Sequence, residues 1–99
     1  MESEQKILQR HLLEAEHGDA DSQNKLGDIY RCGQGVEIDL DAAFHWYNLA
    51  AGQGCVAGYY NLALMYRFGL GVIYSKEEAL KWYELAIEQE KNVQLSQKD

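Results

Sequence analysis

Apolar positions along this chain recur at helical spacing, and the whole pattern runs through twice, 36 residues apart. Leu26, Ile29 and Tyr30 fall at i, i+3 and i+4, the stripe of a first amphipathic helix, helix A. Ala43, Trp46, Tyr47 and Ala50 fall at i, i+3, i+4 and i+7, the stripe of a second, helix B. Glycines punctuate them: Gly33-Gln34-Gly35 ends helix A, because Gly enters the left-handed region without strain. Asp39 is a natural N-cap for helix B, and Gly54 stops it. The spacing predicts helix A from about Asp21 to Cys32.

The second passage has the same grammar. Leu62, Tyr66, Arg67, Gly69, Gly71, Val72, Ala79, Trp82, Tyr83, Leu85, Ala86 and Gln89 repeat their counterparts from Leu26 to Gln53, 12 identities in 28 positions without a gap. Helix A is expected from about Val56 to Phe68, ended by Gly69-Leu70-Gly71. Ser75 with Glu78 three residues later forms a capping box for helix B. No glycine follows Gln89, so this helix should continue to about Gln94, with Val93 extending the stripe of Ala79, Tyr83 and Ala86. Large Trp and Tyr alternate with small Ala. Trp46 and Trp82 are therefore expected to be largely buried, over Gly27, Ala50, Ala63 and Ala86.

The first residues make half a unit. From Ser3, a plausible N-cap, Ile7, Leu8, Leu12 and Ala15 give a helical stripe that ends at Gly18. Gly18 and Gly54 are 36 apart, as are Ala15 and Ala51, so the segment reads as a degenerate helix B that caps the array. The fold expected is all-α: an α-solenoid of antiparallel helix pairs, five helices in the order B–A–B–A–B. Its parts are a capping helix (1–19), two repeats (20–54 and 55–90) and a helix extension with tail (91–99), all one domain.

The run Leu26-Gly27-x-x-Tyr30-x-x-Gly33-x-Gly35-Val36-x-x-Asp39-x-x-x-Ala43-x-x-Trp46-Tyr47-x-x-Ala50-Ala51-x-Gln53-Gly54 resembles the Sel-one-like repeat. This family is a relative of the tetratricopeptide repeat with a longer loop between its helices. The likeness covers about Ala20 to Glu90, and departs from the pattern where Ala63, Ser75 and Glu90 stand for Gly, Asp and Gly. The resemblance implies a non-catalytic solenoid whose A helices line a concave face that binds a protein or peptide. By the same analogy the partner-binding positions are Asp21, Asn24, Asp28 and Arg31 in the first copy. In the second they are Tyr60, Asn61, Leu64, Arg67 and Phe68, with Ala57 at the same register. Arg31 and Arg67 recur in register, which equally fits structural contacts to neighbouring loops.

Charge narrows the partner. The net charge of -7 disfavours nucleic acid and anionic membrane, both of which call for Lys and Arg. Ten acids and four bases lie in residues 1–54, against six and five in 55–99. The acidic half reads either as a solubilising face or as a patch that steers a basic partner. Met1-Glu2-Ser3-Glu4 carries no apolar signal core, so the chain as given reads as cytoplasmic; a removed signal peptide would leave the same sequence. Cys32 and Cys55 match no metal spacing and are expected at helix ends too far apart for a disulfide.

The chemistry that short motifs offer does not assemble. The two G-x-G turns follow helices and lack a Walker lysine, so they are helix stops and not phosphate loops. Ser22-x-x-Lys25 has the spacing of penicillin-recognising hydrolases, but neither Ser-Asp-Asn nor Lys-Thr-Gly accompanies it. Glu14-x-x-His17 lacks the second copy a di-metal site needs. No catalytic residue, metal or cofactor is expected. The leading reading is a protein-binding module, of adaptor or inhibitor type. A structural protein that self-associates to complete its solenoid is the alternative, and a hydrolase a distant third. Two repeats leave an apolar end at Tyr59, Phe68, Leu70, Val72, Ile73 and Tyr74, where weak homodimerisation or a partner contact is expected.

Overall fold

The computed structural model describes residues 3–96, and these form five helices: α1 (Glu4–Glu16), α2 (Ala20–Cys32), α3 (Leu40–Gly52), α4 (Val56–Phe68) and α5 (Lys76–Ser96). Each packs on the next in sequence order, as a solenoid requires. Met1, Glu2 and the tail beyond residue 96 lie outside the described residues.

Local chemistry sets the boundaries. Ser3, Asp19 and Asp39 each accept a backbone N–H from the first turn of the helix they precede. Cys55 occupies the place of Asp19 one repeat later and makes no such bond. Both A helices end on a left-handed glycine, Gly33 at φ 74° and Gly69 at φ 62°. The loop to the B helix is then tied back identically in each repeat. Asp39 N–H donates to the Tyr30 carbonyl (2.9 Å), and Ser75 N–H to that of Tyr66 (3.1 Å). The Ser75 hydroxyl accepts from Glu78 N–H, the expected start of α5. With no breaker after Gln89, α5 runs past Gln94 to Ser96.

The core lies in two clusters. Leu8, Ala15, Leu26 and Ile29 join α1 to α2, and Ala43, Tyr47, Ala51, Leu62 and Met65 join α3 to α4. Ala15 and Ala51, 36 apart, are both 2% exposed: α1 meets α2 with the same small residue that α3 offers α4.

Three expectations are corrected. The tryptophans are only half-buried: Trp46 packs on the α1–α2 cluster, Trp82 on the α3–α4 cluster. The fully buried aromatic is the neighbour, Tyr47, whose ring fills the niche over Gly27 that the pattern assigned to Trp46. Of the six residues expected at an apolar end, Tyr59, Leu70 and Val72 turn inward onto the α3–α4 cluster; Phe68, Ile73 and Tyr74 remain exposed. Val93 continues the α5 stripe in register but is 37% exposed, so the stripe is not buried at that turn.

Candidate functional site on the A-helix face

Residues at i, i+4 and i+7 share a helix face, and each A helix carries one candidate trio there. On α2 the trio is Asn24, Asp28 and Arg31; on α4 it is Tyr60, Leu64 and Arg67. The two faces adjoin: the side-chain amides of Asn61 and Asn24 form a 2.9 Å hydrogen bond from α4 to α2. Asp21 stays exposed at the start of α2, and Phe68 is exposed at the end of α4.

The two trios differ in what they do with a tyrosine from the following B helix. In repeat one, the Tyr47 hydroxyl donates to Asp28 Oδ1 at 2.6 Å, and Arg31 Nε donates to the Tyr47 oxygen at 3.0 Å. Arg31 also approaches the same carboxylate oxygen at 3.4 Å. Asp28, Arg31 and Tyr47 thus close on one another, and the contact is to helix B, not to a loop. Burial, then the bond to Asp28, pushes the Tyr47 hydroxyl well above the usual tyrosine range. Arg31 is raised chiefly by its bond to Tyr47, so the guanidinium stays charged and the Tyr47 hydroxyl neutral at neutral pH.

Repeat two holds the same Arg and Tyr but not the same surroundings. Leu64 replaces Asp28, so its A helix supplies no carboxylate. Ala63 replaces Gly27, and a Cβ on Gly27 would overlap the Tyr47 ring. Tyr83 therefore cannot take the Tyr47 position. It lies half-buried against Tyr60, ring centroids 6.0 Å apart. Arg67 sits over the Phe68 ring at 5.2 Å and has no carboxylate partner among the described residues. Beside it opens a cleft of about 420 Å³ lined by Arg67, Tyr74, Lys76, Ala79, Leu80 and Tyr83.

The sequence picked out Arg31, Asp28, Tyr60, Leu64 and Arg67 but missed Tyr47 and Tyr83. Both lie on B helices, which the solenoid analogy treats as packing. The signal was present in the adjacent pair Gly27-Asp28, which becomes Ala63-Leu64 and alters the tyrosine's niche and its acceptor together. The residues weighed for chemistry make ordinary structural contacts. Ser22 Oγ donates to Glu14 Oε2 at 2.6 Å, His17 bonds the Leu13 carbonyl, and no group of metal-ligand type occurs among the described residues. Both cysteines are free thiols.

Two tandem copies of the Sel1 repeat, at residues 20–55 and 56–91, match this sequence. The chain belongs to the Sel1 repeat family. Sel1 repeats generally serve as protein-interaction modules. Over 49 residues, half of this chain, it is 45% identical to a putative sel1-like repeat-containing protein of Acanthamoeba polyphaga mimivirus, L21. A Sel1 repeat protein from Oxalobacter formigenes, known from its crystal structure, superposes with a TM-score of 0.84 at 31% identity, over 89% of this chain. The chain spans 9% of the viral protein and 25% of the bacterial one. No helix among the described residues is long and apolar enough to cross a membrane.

Proposed function

We propose that this Sel1 repeat chain is a non-catalytic module that binds a protein segment across its A-helix face, as an adaptor or an inhibitor would. Repeat two supplies the contact and repeat one the rigid support beside it. One observation carries the reading: equivalent positions are closed by internal hydrogen bonds in repeat one and left open in repeat two. Tyr60, Leu64 and Phe68 then form an apolar, aromatic anchor flanked by Arg67, the composition in which binding energy concentrates. A basic residue of the partner would meet Asp21, which is exposed, and not Asp28, which is already engaged.

Site-specific photocrosslinking tests this. A photoreactive residue at Phe68 should crosslink a partner in extract of the native organism; one at Leu49, exposed on the B-helix side, should not. Equal crosslinking at both positions would remove the A-helix reading.

A second reading has its own support. Leu80 and Ile87 stand where Phe44 and Ala51 stand one repeat earlier, on the face of α3 that α4 covers. They are 51% and 47% exposed, so α5 offers a stacking face that a second copy or a further repeat would fit.

A further inference from the structure

We infer that the cleft between α4 and the start of α5 is a carboxylate site, which takes an acidic side chain of a protein partner beside an apolar residue. The inference deepens the proposed function by naming the chemistry of the segment bound, and it rests on that reading.

The molecule supplies its own template. In repeat one, an Arg at the end of helix A and a Tyr on helix B hold a carboxylate between them, at 3.4 and 2.6 Å. Repeat two retains both donor types as Arg67 and Tyr83; Tyr83 is shifted from the Tyr47 position onto Tyr60, and both residues line the cleft. The position that delivered the carboxylate now delivers the branched alkyl group of Leu64. An incoming carboxylate would complete the set from outside.

The rest of the lining agrees. Lys76, which replaces Leu40 of repeat one, adds a second cation, and the lining contains no acid. Two cations with no acid in one lining stand out in a chain of net charge -7, and they give the cleft charge complementarity to a carboxylate. Arg gives two parallel donors to a carboxylate, and the tyrosine hydroxyl a third. Ala79, Leu80 and Tyr74 furnish apolar wall around them. Such a site suits Asp or Glu with a Leu-like neighbour, where partial exclusion of water strengthens the ion pair.

The test needs no native partner. Acetyl-Leu-Asp-Leu-amide and acetyl-Leu-Asn-Leu-amide are titrated in turn into the isotope-labelled full chain, with resonances followed by NMR. The Asp peptide should shift Arg67, Lys76 and Tyr83 signals saturably, at least about ten-fold more tightly than the Asn peptide. Arg67→Gln should abolish the difference. So should the double variant Ala63→Gly/Leu64→Asp, which rebuilds the closed arrangement of repeat one from within. Equal response to both peptides, no saturable response to either, or undiminished binding in Arg67→Gln would overturn the assignment. So would inorganic phosphate shifting the same signals as strongly as the Asp peptide, since the cleft would then be a general anion site. If these titrations fail while Phe68 still crosslinks its partner, the carboxylate site falls and the A-helix reading stands; loss of the crosslink removes both.

Discussion

The Tyr47 hydroxyl donates to Asp28 at 2.6 Å from a side chain with no solvent exposure, so the deepest aromatic of the fold is also the one that fixes the A-helix face. Its ring needs the bare backbone of Gly27, and its oxygen needs the carboxylate next along the chain. A close helix approach and a polar tie are thus met by two adjacent residues of α2. Where both change, in repeat two, the face opens.

Removing the ring should unfold the protein more readily than removing either tryptophan. Tyr47→Ala should cost about 3–5 kcal/mol, the range for a buried aromatic. Trp46→Ala, at a half-buried position, should cost less. Tyr47→Phe keeps the ring and should cost about 1.5–3 kcal/mol, the range for hydrogen bonds to charged groups, here Asp28 and Arg31. Urea denaturation of the three variants gives the order; a Trp46→Ala loss larger than that of Tyr47→Ala would refute the packing described.

Gly27→Ala should destabilise although alanine is the better helix former. The helix gain is at most about 1 kcal/mol, whereas the new Cβ drives the Tyr47 ring from its niche, an overpacking cost of about 1–3 kcal/mol. Ala63→Gly lacks that clash to relieve and should lose about the helix-propensity difference alone. Thermal melting of both variants compares them.

Alkaline titration should single out Tyr47. Its hydroxyl is raised in the folded state above the ordinary value of about 10. Stability from keeping it neutral is therefore fully present below about pH 10 and is lost as the pH climbs beyond it. Wild type minus Tyr47→Phe isolates this from the other titrating tyrosines and lysines. The difference in unfolding free energy should be flat from about pH 7 to 9 and shrink above about pH 10.

If self-association occurs, it should run through α5. Sedimentation equilibrium of Ile87→Glu and Leu80→Lys should then show a monomer at concentrations where wild type associates. Association that survives both changes would place the contact elsewhere.

Much of the fold was legible because it is periodic. The twelve recurring residues are mainly packing and capping positions, and a glycine that must turn left or an alanine under a neighbouring helix leaves few alternatives. The α5 extension was legible from the lack of any breaker after Gln89. What the pattern concealed was which of two adjacent aromatics points inward. Trp46 and Tyr47 lie about 100° apart on the helix, so both fit one broad apolar stripe. Only the niche over Gly27 decides between them. The candidate face was half legible, since helix register places Asp28 and Leu64 on the A-helix surface. That Asp28 is engaged by a tyrosine from the next helix depends on a contact 19 residues away in sequence, which no local spacing reveals.

The most direct test of the account is the affinity of a crosslinked and identified partner for two variants of the chain, measured side by side. Tyr60→Ala/Leu64→Ala strips the open face of repeat two, and Asp21→Ala/Asn24→Ala trims repeat one by a similar count. The account predicts that the first weakens binding by about 2 kcal/mol or more, roughly thirty-fold. The second should change affinity by less than about 1 kcal/mol. Full affinity retained by a folded Tyr60→Ala/Leu64→Ala protein would contradict it.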